Sequence, residues 1–513
     1  MTYLIVLNYF KFFFLGCLTF LLFPPYFILP IGFLVFPYLF YQINHLNLKK
    51  STRSSFVEGF FYGLGLNFLL FFWLKNPFFV DDNTKNLFFL SYLFIIYASL
   101  YFGIFFVLLR FFKNQNIQII VFPIIFIILE ILRTKLFLSF PWNIFAYILS
   151  NQPYLFSVSK YISIYGVSYI AIVILLSPIL LINIFNNKEK KFNIYYLLII
   201  LSIISTLYFL SNSSEKIDQN KKSYELDIII YQNNIAQDEK WNSNLMESRL
   251  NNLLEFIENN SNNLKKTLIV FSETEIPYII SSKQTILSFI SSKLDDNTIV
   301  IIGGIRKDQE LNSYFNTLFK ITQNNIEYFD KKVLVPFGEY FPLINYFPYI
   351  KKFILGGTEF TKGKSKRTML LYEDIYFIPS ICFENIFFNK LISKDNYQND
   401  LIINITNDAW FGKYQGPYQH FYQSIVRAVE NNKYLIRVSN NGISAVVDPK
   451  GKILYATKLN EKISYKVNLQ IKPTKNKEYT QMNFLIFYLF LIISFIVCVI
   501  FQIVKKNENE FIS

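Results

Sequence analysis

Seven apolar stretches crowd into the first 212 residues, and an eighth follows close to the C-terminus. They run approximately over 3–22, 26–44, 56–75, 87–112, 117–135, 160–184 and 194–211, with the eighth at 482–504. A helix needs roughly 18 or more apolar residues to cross a hydrocarbon core about 30 Å thick, and each stretch has that length. Each is bounded by proline, charge or a polar cluster; Pro24 and Pro25 divide the first two. Such a chain is not a purely soluble globule. Its composition agrees, with 52% hydrophobic and 17% charged residues against about a quarter charged in an ordinary soluble domain, and intrinsic disorder is excluded. The first stretch lacks both a basic leading region and a small-residue cleavage site, so it predicts a retained helix rather than a signal peptide.

Lysine and arginine in short loops set the orientation of membrane helices. With the N-terminus inside, the inner loops and their edges hold Lys49, Lys50, Arg53, Arg110, Lys113, Lys188, Lys190, Lys191, Lys505 and Lys506. The outer ones hold only Lys75, Lys85, Arg133, Lys135 and Lys160. This predicts an inside N-terminus, and seven crossings then carry the following stretch outside. The expected organisation is a seven-helix membrane domain over 1–212, an extracytoplasmic domain over 213–480, and a C-terminal transmembrane helix with a short inner tail over 481–513.

The middle region has ordinary soluble character. Apolar runs rich in β-branched residues predict strands at 226–231, 268–271, 298–302, 375–381 and 401–405, with further strands at 434–438, 443–447 and 464–469. Amphipathic patterns predict helices near 245–257 and 418–431. Short buried strands with helices between them imply a layered α/β domain.

The net charge of +14 would suit nucleic acid or anionic lipid, but it is spread through a chain crowded with Lys, Asn, Ile, Phe and Tyr, and no nucleic-acid partner is expected. Cys17, Cys382 and Cys498 are too few and too scattered for a disulfide framework or a thiolate metal site, and His45 and His420 are the only histidines. No metal is expected. Chemistry here must run on Glu, Asp, Lys, Ser or Cys.

Three strand ends carry reactive side chains, where layered α/β domains tend to place their sites. Phe271-Ser272-Glu273-Thr274-Glu275-Ile276-Pro277 runs from an apolar strand into carboxylates, Lys331-Lys332 precedes Leu334-Val335-Pro336-Phe337-Gly338-Glu339-Tyr340, and Ile375–Ile381 ends at Cys382-Phe383-Glu384. Singly, a buried cysteine is usually a small hydrophobe, a strand-end glutamate a surface charge, and a lysine pair solvated. Together they suit a thiol whose proton goes to a carboxylate and whose developing charge meets an ammonium.

Glu273, Lys331 and Cys382, in that order and strand context, resemble the Glu-Lys-Cys triad of the nitrilase (carbon-nitrogen hydrolase) superfamily. The match narrows to apolipoprotein N-acyltransferases through Leu334 to Tyr340, Asn407-Asp408-Ala409-Trp410-Phe411-Gly412, Gln419-His420 and Arg427-Ala428-Val429-Glu430. Phe140-Pro141-Trp142-Asn143, Gln232-Asn233-Asn234-Ile235 and Lys240-Trp241 also match, as does the seven-plus-one helix arrangement. The resemblance implies a multi-pass α-helical membrane domain joined to an α/β nitrilase-like αββα sandwich. It implies a fatty acyl chain moved from a phospholipid donor, through a thioester on Cys382, to the α-amine of a diacylated apolipoprotein acceptor. Glu273 would be the base and Lys331 the oxyanion stabiliser. Glu339 and Glu384 would orient Lys331 and the nucleophile loop, Trp241 and Trp410 would enclose substrate, and Trp142 and Asn143 would line a membrane-facing entrance. No cofactor is implied, and a monomer is expected in the inner membrane of a bacterium with the catalytic domain on the periplasmic side.

Phe271-Ser272 and Glu275 depart from the family pattern around the glutamate, leaving Glu275 as a second candidate base; Lys332 stands beside Lys331; and Phe383 replaces the usual Tyr. Other readings stay open. One is a membrane-anchored amidase using the same triad on a small amide. Another is a thiol hydrolase pairing Cys382 with His420, for which no orienting acid is obvious in the sequence. A third is a transporter with an extracytoplasmic binding domain.

Overall fold

The computed structural model describes residues 2–46, 51–80, 84–136, 140–212, 223–237, 239–281, 285–340, 359–471 and 482–512. The chain divides into two compact units, one of Met1–Lys75, Phe89–Ser213 and Thr480–Ser513, the other of Asn76–Phe88 and Ser214–Tyr479. The joints expected at 212/213 and 480/481 run into 213–222 and 472–481, outside the described residues.

The first unit is helical. Its helices are α1 (Thr2–Phe20), α2 (Leu29–Leu46), α3 (Thr52–Phe71), α4 (Phe89–Leu109), α5 (Gln115–Lys135), α6 (Ser159–Phe185) and α7 (Lys190–Asn212), with the C-terminal helix Met482–Ile512. Ser51 caps α3 by accepting from Ser54 N, and the Asn114 side chain caps α5 through Asn116 N and Ile117 N, satisfying donors that a helix start leaves open. Among the described residues, Thr52–Phe79, Lys85–Leu109, Gln115–Lys135 and Pro153–Phe185 are long and apolar enough to cross a membrane, and Val6–Phe20, Leu29–Asn44 and Phe487–Ile503 form shorter apolar helices. Helices α1 and α3 touch backbone to backbone: a Cβ on Gly65 would drive into the Phe13 carbonyl, the close approach that small residues permit between membrane helices. Trp142 is fully buried, its ring centroid 4.7 Å from that of Trp73.

The second unit is built on two sheets. Its strands are β1 (Tyr224–Gln232), β2 (Thr267–Val270), β3 (Ile279–Ile280), β4 (Thr298–Asp308), β5 (Ser313–Ile321), β6 (Ile326–Asp330), β7 (Met369–Tyr372), β8 (Ile375–Ile381), β9 (Leu401–Thr406), β10 (Tyr434–Ser439), β11 (Ala445–Val447), β12 (Ile453–Ala456) and β13 (Ile463–Ile471). The first sheet has the order β13-β1-β2-β4-β5-β6, with β3 on β4, and the second the order β12-β11-β10-β9-β8-β7. Parallel centres, β1-β2-β4 and β8-β9-β10, are flanked by antiparallel strands.

Side-chain alternation explains why the central strands are apolar at consecutive positions, as at 228–230, 268–270 and 401–403: both faces are covered. Leu226, Ile228, Ile230, Leu268, Val270, Ile299 and Ile301 meet Phe377, Ile381, Leu401, Ile403, Ile405, Ile436 and Val438 between the sheets. The intervening Ile229, Ile269, Val300 and Ile302 face Leu253 and Ile257 of helix α8 (Ser243–Asn260) and Leu287 and Ile290 of α9 (Thr285–Ser292). Behind the second sheet, Ile402 and Leu435 pack on Phe421, Ile425 and Ala428 of α10 (Gln415–Glu430). Each large apolar side chain so buried contributes about 1.5–3 kcal/mol. The layers are α, β, β, α, joined to a helical membrane unit, as the resemblance implies.

Candidate active site

Three strand ends converge on one cluster of charge. Glu273 stands just beyond β2, Lys331 directly after β6 and Cys382 directly after β8. The turn at Glu273 is pressed against β4: a Cβ on Gly303 would lie 2.5 Å from Thr274 N and 2.7 Å from Glu273 Cα, so only glycine allows this approach. Cys382 is buried and holds φ at +48°, the left-handed region that costs a non-glycine residue strain and recurs at functional turns.

Glu273 Oε1 accepts from Asn316 Nδ2 at 2.7 Å and from Lys331 Nζ at 3.3 Å. Lys331 Nζ also donates to Glu339 Oε1 at 2.8 Å, and Asn316 Nδ2 donates to that same oxygen at 2.8 Å. Burial disfavours the Lys331 ammonium, but Glu339 and Glu273 outweigh it and hold the group well above its ordinary range. Burial also pushes the Cys382 thiol up; Glu273 adds to the shift and Lys331 opposes it. The resting cysteine is therefore a thiol beside a fixed ammonium and carboxylate. Glu275 is engaged elsewhere, accepting from Asn233 Nδ2 at 2.7 Å and from Ser272 Oγ at 2.5 Å.

Glu384 ties the loop after Lys331 to the turn at Cys382. Its carboxylate accepts from Lys332 N, Val333 N and Ile381 N at 2.8, 3.1 and 2.9 Å, and from both Arg367 nitrogens at 2.8 and 2.6 Å. Burial alone would raise its pKa, but Arg367 brings it below the usual carboxylate range. The Lys332 ammonium, lowered by burial and then by Arg367, lies on the Arg367 side, so Lys331 alone of the pair reaches Glu273 and Glu339.

Behind Cys382, Asp408 joins His420 Nδ1 at 2.7 Å through one oxygen and accepts from Arg437 at 2.7 Å through the other, all three side chains fully buried. The orienting acid not obvious in the sequence is thus Asp408, which a turn brings against a helix. Burial, then Arg437, lowers the His420 pKa, with Asp408 and the Cys382 backbone opposing the shift. Arg437 and His420 hold the Asp408 pKa at about 2 against burial.

The family model described as carbon-nitrogen hydrolase matches residues 230–471, and the one for the apolipoprotein N-acyltransferase N-terminal domain matches residues 15–177. The apolipoprotein N-acyltransferase of Rickettsia prowazekii (strain Madrid E) is 32% identical over 464 residues, covering 87% of this chain and 89% of its own. The chain belongs to the apolipoprotein N-acyltransferase family. Apolipoprotein N-acyltransferases of Rickettsia typhi (strain ATCC VR-144 / Wilmington), 31% identical, and Wigglesworthia glossinidia brevipalpis, 32% identical, match over 88% and 86% of this chain and 89% and 87% of theirs.

Of the residues singled out on the apolipoprotein N-acyltransferase pattern, the structure groups Glu273, Lys331, Glu339 and Cys382, with Glu384 one layer behind. Trp241 is 41% exposed and Trp410 half-buried in the short turn Asp408–Phe411; among the described residues neither ring joins that network. Trp142 and Asn143 lie buried in the helical unit. Phe383 packs edge-on against Phe387, with centroids 5.0 Å apart. Sequence reasoning missed Asn316, which bridges Glu273 and Glu339 from β5, and Arg367, the partner of Glu384. Lys240 was noted only as part of a motif; its Nζ donates to the Glu273 carbonyl at 2.9 Å.

Proposed function

We propose that this protein transfers a fatty acyl chain from a membrane phospholipid to the N-terminal α-amine of a diacylglyceryl-cysteine apolipoprotein, with Glu273, Lys331 and Cys382 as its catalytic residues. The observation that carries this reading is the Lys331 ammonium held between Glu273 and Glu339 beside the strained turn of Cys382. The names and lengths of the matched relatives support it.

Glu273 takes the proton of the Cys382 thiol as Sγ attacks the ester carbonyl of the phospholipid. The tetrahedral oxyanion faces Lys331, whose raised pKa keeps it cationic throughout, and preorganised charge of this kind commonly supplies several kcal/mol. Collapse breaks the ester C–O bond, the leaving alkoxide takes the proton from Glu273, and a thioester remains on Cys382. The acceptor amine then attacks the thioester carbonyl and loses its proton to Glu273. The C–S bond breaks, the thiolate is reprotonated, and an amide departs. Trp241 and Trp410 help enclose the substrates.

The same reading takes the chain as a monomer of the bacterial inner membrane, with residues 1–212 and 481–513 forming eight spans and residues 213–480 on the periplasmic side. A site served by a membrane unit spares both lipid substrates the cost of leaving the bilayer, about 0.8 kcal/mol per CH₂ exposed. The test is to incubate the purified full chain with phospholipid and a diacylated lipopeptide bearing a free α-amine. Triacylated lipopeptide is the expected product; free fatty acid without it indicates a hydrolase and overturns the transferase reading.

A further inference from the structure

The helical unit contains a cavity of about 620 Å³ lined by α4, α5 and the C-terminal helix, with Tyr97, Leu100, Ile104, Leu129, Leu132 and Phe495 among its walls. Its walls extend from Tyr97 to Leu108 on α4 and from Ile125 on α5 to Leu136 just past its end. At about 1.5 Å per residue, each wall is about 16 Å long, roughly half of a hydrocarbon core about 30 Å thick. That is the depth one acyl tail occupies in one leaflet. Both α4 and α5 are long and apolar enough to cross a membrane, so the medium at the cavity mouth is lipid.

The groove is not uniformly apolar. Tyr97 and Tyr101 share a hydroxyl hydrogen bond of 2.7 Å at one end, within electrostatic reach of Arg133. Exposed Lys135 follows on α5, beside the lining residue Leu136. Tyr101 and Leu129 also wall a second cavity of about 40 Å³ that reaches Glu130, Arg133 and Asn143, where the buried Asn143 Nδ2 has no hydrogen-bond partner among the described residues. Polar and cationic groups thus gather at one end of a tail-length apolar channel, the distribution that fits an amphiphile with an anionic head.

We propose that this groove is a phospholipid-binding site, taking one acyl tail along α4 and α5 and setting the phosphate against Lys135 and Arg133. It is separate from the catalytic residues and does not depend on the acyl-transfer reading.

The experiment uses full-length Cys382→Ser protein, so that no covalent adduct forms, with palmitoyl-oleoyl phosphatidylethanolamine as the probe and native mass spectrometry to count bound lipid. Ile104 and Leu132 are each 40% exposed, so Ile104→Trp with Leu132→Trp fills the groove while facing lipid. The double variant is expected to retain one lipid fewer, with occupancy down at least fivefold. Lys135→Glu is expected to weaken phospholipid binding without changing that of dioleoylglycerol, which has no phosphate. As a check that needs no groove substitution, a diazirine-tailed phosphatidylethanolamine should crosslink to peptides spanning 97–108 or 125–136. An unchanged lipid count in the filled variant overturns the proposal. So does equal loss of diacylglycerol and phospholipid in Lys135→Glu, or crosslinking confined to other segments.

Discussion

Lys331 donates to Glu339 across 2.8 Å but lies 3.3 Å from Glu273. The ammonium is held more closely by Glu339 than by Glu273, the base of the proposed mechanism. Replacing Glu339 by Gln removes half of that anchorage and leaves Lys331 free to close on Glu273, tying up the base. The expected result is a kcat about 10²-fold lower, the order seen when an oxyanion donor is lost, with little change in KM for phospholipid. A matching rise in KM with kcat intact would indicate a binding role instead.

Glu273 and Glu275 are two residues apart with different partners, the first on Lys331 and Asn316, the second on Asn233 and Ser272. Glu273→Gln is expected to abolish acyl-enzyme formation. Glu275→Gln should keep most of it while lowering stability by about 1–3 kcal/mol through the disturbed buried hydrogen bonds. Intact-mass measurement of both variants after exposure to phospholipid decides the assignment, and the opposite pattern would move the base to Glu275.

Acid should weaken the catalytic unit through Asp408 and His420. The Asp408 pKa is lowered in the folded protein to about 2, below its ordinary value, so its contribution is full above about pH 4 and drains as pH falls toward 2. At 1.36 kcal/mol per unit that contribution is about 2 kcal/mol. The His420 pKa is lowered too, so below about pH 6.5 the unfolded chain gains a proton that the folded one resists. Apparent melting temperature should therefore fall from about pH 6.5 down to about pH 2, through His420 in the upper part and Asp408 below about pH 4, and His420→Gln should flatten the upper part of that slope. A variant as pH-sensitive as wild type would place the effect elsewhere.

Much of this arrangement is legible in the sequence, and the reason lies in the packing. Runs such as 228–230 and 401–403 are apolar at every position because their strands are covered on both faces, and a strand that stops abruptly at Cys382 or near Glu273 marks itself. Strands β3, β5, β6, β7 and β12 and helix α9 are not among the elements read from the sequence. Strand β5 reads Ser-Tyr-Phe-Asn-Thr-Leu-Phe-Lys-Ile and buries Asn316, Thr317 and Lys320 along with its apolar residues, so its period is masked by polar groups that the fold satisfies from a distance. Asn316 was invisible for that reason. Arg367 and Asp408 find Glu384 and His420 across 17 and 12 residues, pairings that only strand order and turn geometry create.

Loop charge predicts the sidedness of the chain. A reporter fused after Ser213 should be active only outside the cytoplasm, and one fused after Ser513 only inside, because an inside N-terminus puts ten basic loop residues inside against five outside. Cytoplasmic activity from both fusions would contradict the orientation.

The most direct measurement is the mass of the full chain after exposure to phospholipid alone. An adduct of one fatty acyl group should appear, map to Cys382, survive washing, and vanish on addition of a diacylated lipopeptide with a free α-amine as the triacylated peptide forms. Cys382→Ser should show no adduct, since a serine hydroxyl is far less acidic than a thiol, whereas Cys17→Ser and Cys498→Ser should show it undiminished. An adduct that persists in Cys382→Ser, or one that decays to free fatty acid at the same rate with and without the lipopeptide, would contradict acyl transfer through Cys382.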